Sequence, residues 1–458
     1  MSESPIRVAI CGGGIGGLSL ALVLKKFAPS AKLSVDIYEA GTQFVETGAG
    51  ITLWQRSRNI FESLGLQDVL KGRVISPPLI LRKSDTKDAF SFFEFAIPHG
   101  SSTLPRVEML KLLIEQLDFE SSSFIRTHFS KTLASYAQDE SGVTLHFSDG
   151  STAHADIVVG ADGLGSPTRK QMYADLAGRL AKDDPEKVEA LLKASRPSWT
   201  GTYAYRALVA RSKIAAASPN NVILKSGYAW LGSGKHVISY PISPTIINIL
   251  FFDTVPDGLD KPLPGAAVAA ASKEEILELY SDWEEDICVV AENVGETAKW
   301  AISHIRGLPH YVDGHVALLG DSAHAMSTHF GAGAGQALED AYILGRILSH
   351  QSVSRSNLAH ALDVYDAIRR PIGNDVVERS LKLGFLYELH PAYLAPGIDA
   401  ARLRAGDWAE LHKLVEQMTE IWTFHWQEMP ERDWERAQEL LAKNEAELGD
   451  ICGQKSNV

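Results

Sequence analysis

The sequence predicts an α/β fold: a Rossmann-like nucleotide-binding domain, a mainly β second domain and a run of C-terminal helices. Three observations predict it. A glycine-rich turn near the N-terminus joins a strand-like apolar run to a helix-like one, segment 203–252 is rich in β-forming residues, and most of the chain beyond residue 334 reads at helical spacing.

In chain order, Ile6 to Cys11 is a short apolar strand, Leu18 to Lys26 a helix and Leu33 to Glu39 a second strand. That is the β-α-β unit of a parallel sheet. Between strand and helix, Gly12-Gly13-Gly14-Ile15-Gly16-Gly17 fits G-x-G-x-x-G at Gly12, Gly14 and Gly17. Gly12 allows the tight turn, Gly14 lets the backbone approach a pyrophosphate, and Gly17 lets helix and strand pack closely. The helix N-terminus around Ile15 offers unpaired N–H groups and a partial positive charge to phosphates. Glu39 ends the second strand, 22 residues after Gly17. A carboxylate there can accept both ribose hydroxyls and would repel a 2′-phosphate, so the expected dinucleotide is FAD or NAD rather than NADP.

Further on, Thr144 to Phe147 and Ser151 to Ala155 flank Ser148-Asp149-Gly150, a hairpin signal. Ile157 to Gly160 and Val316 to Leu319 read as buried strands, and 175–195 as a polar helical connection. Val237 to Tyr240 and Ile246 to Phe252 suggest a sheet with one face over a cavity. Residues 334–349, 359–390 and 402–448 read as helices, the last with Trp408, Leu411, Leu414, Val415 and Met418 on one face.

The bulk numbers narrow the function. A chain of 458 residues exceeds one ordinary core, so two or three domains are expected. The 45% hydrophobic and 22% charged content is that of a globular protein rather than a disordered one. A formal net charge of −13 without a Lys/Arg run argues against nucleic-acid binding. Cys11, Cys288 and Cys452 form neither a disulfide framework nor a metal pair, which suits a reducing, cytoplasmic location. Val8 to Leu24 is uncharged but holds five glycines, and no other stretch reaches the length of a membrane span.

Two more motifs carry a resemblance. They are Asp156-Ile157-Val158-Val159-Gly160-Ala161-Asp162-Gly163, ending in Ser166 and Arg169, and Gly320-Asp321-Ser322-Ala323-His324-Ala325. With the glycine turn they resemble the class A FAD-dependent aromatic monooxygenases of the para-hydroxybenzoate hydroxylase fold, in the salicylate-hydroxylase-like branch. The resemblance implies one FAD gripped by all three motifs. Asp321 would accept from the ribityl hydroxyls, and Asp162 would lie near the pyrophosphate and help in the NAD(P)H step. Gly331, Gly333 and Ala334 would open a helix whose positive end faces the pyrimidine side of the flavin. Arg106, in Leu104-Pro105-Arg106, matches the family arginine that opens a helix near the flavin. Gly48-Ala49-Gly50-Ile51 resembles the loop at the isoalloxazine; Arg56 follows where many members carry Asn. His324 belongs to the motif as a structural residue.

The same resemblance implies the reaction: NADH or NADPH reduces the FAD, oxygen forms a flavin C4a-hydroperoxide, and an electron-rich ring takes up one oxygen atom. No metal is needed. Arg206 and Tyr240 fall in the β-rich segment, where related enzymes acting on phenols carry Arg and Tyr. Arg206 would hold a phenolate or carboxylate, and Tyr240 would donate a hydrogen bond to the substrate. Thr328 stands where the family usually has Pro, which implies a looser hold on the peroxide and a share of NADH oxidation without product. The expected domains are an FAD-binding domain (1–75, 104–195 and 300–372), a β-rich substrate domain (76–103 and 196–299) and a helical region (373–458). The expected substrate is a phenolic or aromatic acid, either a salicylate-like acid that loses CO₂ or a larger phenolic metabolite. A halogenase on the same scaffold lacks support, because no Trp-x-Trp-x-Ile-Pro is present; a catalytically inactive flavin-binding module is the alternative from another class.

Overall fold

The computed structural model describes residues 4–29, 32–45, 50–70, 74–75, 78–120, 122, 124–180, 184–427 and 429–443. Gly48 and Ala49 of the expected flavin loop, Cys452 and the C-terminal residues 454–458 lie outside them. The fold is α/β. Its first sheet has six strands in the order Val312–Asp313, Val316–Leu318, Ile157–Gly160, Ile6–Cys11, Leu33–Tyr38 and Ile125–His128. All neighbours are parallel except the first pair. Val8, Ile10, Ile37, Val158 and Val316 are fully buried, as strands covered on both faces require. A three-stranded meander, Leu133–Asp139, Gly142–Phe147 and Thr152–Ala155, carries the expected hairpin.

The first helix spans Ile15–Phe27 and so begins inside the glycine motif, earlier than hydrophobic spacing suggests. Two glycines make that possible. Gly12 has φ +111°, which side-chain-bearing residues rarely adopt. At Gly17 an added Cβ would lie 2.0 Å from the Gly12 carbonyl oxygen and 3.1 Å from Ile10. The helix Gly333–Ser349 packs alongside Ile15–Phe27, and the 30-residue helix Leu358–Tyr387 follows, with Pro371 inside it.

The second sheet has eight strands: Val268–Ala271, Thr297–His304, Ser198–Ala210, Ile246–Thr254, Lys235–Pro241, Gly227–Gly232, Leu79–Lys83 and Phe90–Phe95. Segment 203–252 is less uniformly β than the composition suggests, since the helix Arg211–Ala217 and a 3-10 turn at Val222–Leu224 interrupt it. Side chains alternate between the sheet's faces. Tyr205, Ala207, Ile249, Phe251 and Val237 point to one side and form a core with Ile276, Trp283, Ile287 and Val290. Those residues come from the helices Lys273–Leu279 and Glu285–Glu292 and the turn between them. Ala204, Arg206, Leu250, Phe252 and Ile238 point to the other side, towards a cavity.

The C-terminal region forms several helices, including Trp408–Trp422 and Pro430–Leu441. Leu411, Leu414, Val415 and Met418 are buried, but Trp408 is 52% exposed and its ring lies 5.3 Å from Phe90. Helical spacing alone placed Trp408 with the core; as first residue of its helix it reaches only the sheet edge. No helix among the described residues is long and apolar enough to cross a membrane.

Gly17→Ala is expected to destabilise the fold by about 3 kcal/mol, because the new methyl meets backbone that must move. Gly178→Ala, inside the helix Pro167–Leu180 with open space at its Cβ, is expected to be neutral or stabilising by up to ~1 kcal/mol. Urea unfolding of both variants checks this; equal stability of the two would contradict the packing at Gly17.

Candidate active site

A continuous cavity of about 810 Å³ runs from the glycine turn to the second sheet. Its first half is a cradle of backbone. Gly12 and Gly14 line it from the glycine turn and Ile15 from the start of the first helix, while Gly331 lines it just before the helix Gly333–Ser349 and Gly333 and Ala334 from that helix's first turn. Neither helix has a side-chain cap at its N-terminus. Two sets of backbone N–H groups with their partial positive charges thus converge on one space. An added Cβ at Gly333 would meet nothing within 4 Å, so the cradle is open on that side. Gly17 lies behind the turn, holding helix to strand, and is not on the wall.

Acidic side chains ring the cradle. Glu39 lines the cavity and accepts from the Gly13 N–H at 2.8 Å and the Gly41 N–H at 2.7 Å. It therefore braces the glycine turn as well as facing the position expected for a ribose. Asp162 divides its carboxylate: Oδ2 accepts from the Thr168 N–H at 3.0 Å and its hydroxyl at 2.6 Å. Its Oδ1 is buried, has no protein partner and belongs to a cavity-lining residue. Asp321 opens the short helix Asp321–His324 and is exposed to the cavity. Gly50, Gly163 and Arg106, first residue of the helix Arg106–Leu117, complete the wall. Open helix ends, the orphaned Asp162 oxygen and a carboxylate at the end of the second strand fit a dinucleotide such as FAD.

Lys131, Thr132 and Leu133 also line the cavity beside Glu39. The sequence reading missed them because they follow the strand Ile125–His128 without any glycine motif.

Buried charges hold the cradle in place. Arg56, from the helix Gln55–Ser63, turns inward and pairs with Glu339 at 2.9 and 2.8 Å. Arg369 donates to Asp340 at 2.7 Å, to Glu339 at 3.1 Å and to Gln336 at 2.7 Å. The second Asp340 oxygen accepts from the Gly320 N–H at 2.9 Å and lies 2.5 Å from His324 Nε2. Asp433 approaches Arg56 at 3.4 Å. Arg169 is not on the wall; buried, it donates to the carbonyls of Ser195 and Ser322, both at 2.8 Å.

The second half of the cavity lies under the sheet. Arg206 and Tyr240 both line it. Burial pulls the Arg206 guanidinium below its usual value, Tyr240 opposes that and Arg106 adds to it, so the three side chains share one electrostatic neighbourhood. Burial pushes the Tyr240 hydroxyl up to about 12, against Arg206 and Asn248, so it remains a donor at neutral pH. Ile238, Leu250, Phe252 and Met326 make the surrounding wall apolar. Tyr387 and Trp422 close it from the C-terminal helices, a contribution that no motif announced. His329 and Thr328 line it from the 3-10 turn Thr328–Phe330.

The FAD binding domain family matches residues 5–231 and 273–380. The chain is 30% identical to the FAD-dependent monooxygenase str9 of Strobilurus tenacellus, across 96% of this chain and 98% of that one. It is 32% identical to a salicylate hydroxylase of Pseudomonas putida, across 84% and 86% of the two chains. A solved salicylate hydroxylase substrate complex superposes with a TM-score of 0.77 at 30% identity, covering 95% of this chain and 98% of that one.

Burial alone would push the Asp340 carboxyl up, but His324 and Arg369 outweigh it and hold it at about 2. A carboxyl depressed in the fold stabilises it above its unfolded value of about 3.9, and that contribution is lost as pH falls towards 2. Asp340→Asn leaves Arg369 partly unpaired and is expected to cost about 3–5 kcal/mol at pH 7. It should also flatten the loss of stability between pH 4 and 2. Urea unfolding across pH checks both; wild-type stability at pH 7 in the variant would exclude this role for the cluster.

Proposed function

The chain belongs to the FAD binding domain family as a flavoprotein monooxygenase, and we propose that it hydroxylates a phenolic or aromatic-acid substrate with NADH or NADPH as reductant. The observation that carries this reading is the placement of Arg206 and Tyr240. They stand on the cavity-facing side of the second sheet, in the same continuous space as the nucleotide cradle.

Bound FAD, once reduced, supplies the activation of oxygen and its transfer to an electron-rich ring. The protein's own groups do the rest. Gly12, Gly14, Ile15, Glu39, Asp162 and Asp321 would hold the dinucleotide, with Gly17 keeping the turn in shape. The helix end at Gly333 and Ala334 would place positive potential where negative charge develops on the ring system. Arg206 would anchor a carboxylate or phenolate as a fixed cation, and Tyr240 would donate to the same substrate. Ile238, Leu250, Phe252, Tyr387 and Trp422 would keep water away from the reacting ring.

The narrower reading is decarboxylative hydroxylation of a salicylate-like acid. It is supported by the salicylate hydroxylase relatives and by the two cations, Arg206 and Arg106, near one apolar cavity. A screen of hydroxylated aromatic acids and larger phenols, with NADH and NADPH, would follow ligand-stimulated flavin reduction and product mass. Gain of one oxygen indicates hydroxylation; replacement of the carboxyl group by a hydroxyl indicates the decarboxylative route. Loss of an anchor of this kind costs on the order of 3 kcal/mol, so Arg206→Ala is expected to lower kcat/KM roughly 100-fold with FAD content unchanged. Equal kcat/KM in the variant would overturn the anchoring role.

A further inference from the structure

The chamber under the second sheet extends further than the anchoring of one ring requires. Its polar groups, Arg206 and Tyr240, stand on the strands Ser198–Ala210 and Lys235–Pro241. Past Tyr240 the lining continues across three more strands, through Gly227, Leu79 and Phe95. The register puts these residues in one row. Tyr228 pairs with Ser239, so the next residues on those two strands, Gly227 and Tyr240, come side by side. Gly227 pairs in turn with Leu79, and Leu79 with Phe95. Neighbouring strands are spaced evenly, so Leu79 stands about 10 Å from Tyr240 across the sheet and Phe95 about 14 Å. A single benzene ring held by Arg206 and Tyr240 does not span that distance.

The side chains along the row form a trough. Gly227 sits in a regular parallel ladder with Leu79 and does not have the positive φ that calls for glycine. The strands before it present Leu250, Phe252 and Ile238 to the cavity. A glycine in such a strand opens space and marks a place where a ligand comes close to the backbone. Leu79 and Phe95 floor the trough, and its end is aromatic. The Trp422 ring lies 5.8 Å from Phe95 and 5.2 Å from Trp54, all three on the cavity wall. The Trp54 N–H donates to the Gly331 carbonyl at 2.9 Å, which fixes this wall to the loop before the helix Gly333–Ser349. None of Gly227, Leu79, Phe95, Ile97, Trp54 and Trp422 carries a charge. Trp422 also lies beyond residue 380, where the family match ends. Interiors are packed to high density, and an apolar hollow left unfilled loses the contacts that would stabilise it. Water gains little there, because it needs several polar partners.

We propose that the trough from Gly227 to Trp422 is a subsite for an apolar arm of the substrate, and that the substrate class is therefore an aromatic acid or phenol carrying an arm of several carbons. Gly227 admits the arm and Trp422 sets its length. This deepens the hydroxylase reading above and rests on it. Arg206 and Tyr240 hold the polar head while the arm lies over Leu79 and Phe95. A head held alone can turn about its anchor; an arm seated at the other end removes that freedom and fixes which ring carbon meets the flavin.

The test uses the FAD-loaded protein and 2-hydroxybenzoates that are unsubstituted or carry a methyl, propyl, pentyl or heptyl group at each free ring position in turn. Each is titrated by calorimetry and assayed for turnover. With the arm at one ring position at least, Kd of the wild type is expected to fall by up to about fourfold per methylene. The heat-capacity change of binding should grow more negative with the arm, and the gain should stop at a limiting length. Gly227→Val, which suits a strand, is expected to lower the preference for pentyl over the unsubstituted acid about 10-fold. Trp422→Leu, which keeps the wall apolar, is expected to raise the limiting length; the two variants act at opposite ends, so loss of fold in one leaves the other to decide. A Kd and heat-capacity change independent of the arm at every position overturn the subsite, while turnover of the unsubstituted acid in that case leaves the hydroxylase reading standing. A length series that both folded variants leave unaltered overturns the assignment to this trough. Length-dependent binding that the variants alter, without turnover of any member, supports the apolar subsite and sinks the hydroxylase reading. Failure of every member to bind overturns both.

Discussion

The placement of the helix Gly333–Ser349 depends on charges buried behind it. Arg56, Arg369, Glu339, Asp340 and Asp433 are each at most 5% exposed. Isolated, any one of them would be too costly to bury. Together they share bidentate contacts, and the Asp340 carboxylate also takes the Gly320 N–H and His324. The cluster thus binds four distant pieces of chain: the helix Gln55–Ser63, the Gly320-Asp321 corner, the long helix Leu358–Tyr387 and the C-terminal helix Pro430–Leu441. Because Glu339 and Asp340 sit two turns into Gly333–Ser349, the open N-terminus of that helix is directed at the cavity and has little freedom to tilt away.

The second sheet solves a different problem. Its alternation lets one set of strands pack a dry core on one side and present a reaction chamber on the other. The first face is saturated with aliphatic and aromatic side chains against two short helices. The second keeps Arg206 and Tyr240 among apolar neighbours, where a charge or a hydrogen bond acts more strongly than in water. The sheet leaves the far side of that chamber open, and the C-terminal helices supply the closure through Tyr387 and Trp422. Their own core, with Trp54, Phe95, Leu386 and Leu414, ties that closure to the strands beneath.

The residues that the sequence made legible work through short-range geometry. A glycine with φ +111° and a second where an added Cβ would lie 2.0 Å from a carbonyl oxygen are needed wherever this turn occurs, so the motif shows itself without any tertiary neighbour. Asp162 and Asp321 were legible for the same reason, each standing at the end of a buried strand beside a glycine. Arg56 was read only as a departure from a family pattern. Its inward turn depends on Glu339, 283 residues away. Trp408 shared a helical face with core residues but sits where that face runs past the core's edge. Lys131 to Leu133 carry no motif and line the cavity only because their strand end lies beside Glu39.

The amino-acid sequence by itself determined the nucleotide turn, the α/β class and the two-faced strands, because each is a matter of neighbouring residues and their periodicity. Which buried charges meet, which aromatic rings close the chamber and which histidine stands at its wall were decided only by the tertiary structure. Those contacts join segments hundreds of residues apart, and local spacing carries no information about a partner brought in by the packing of helices and sheets.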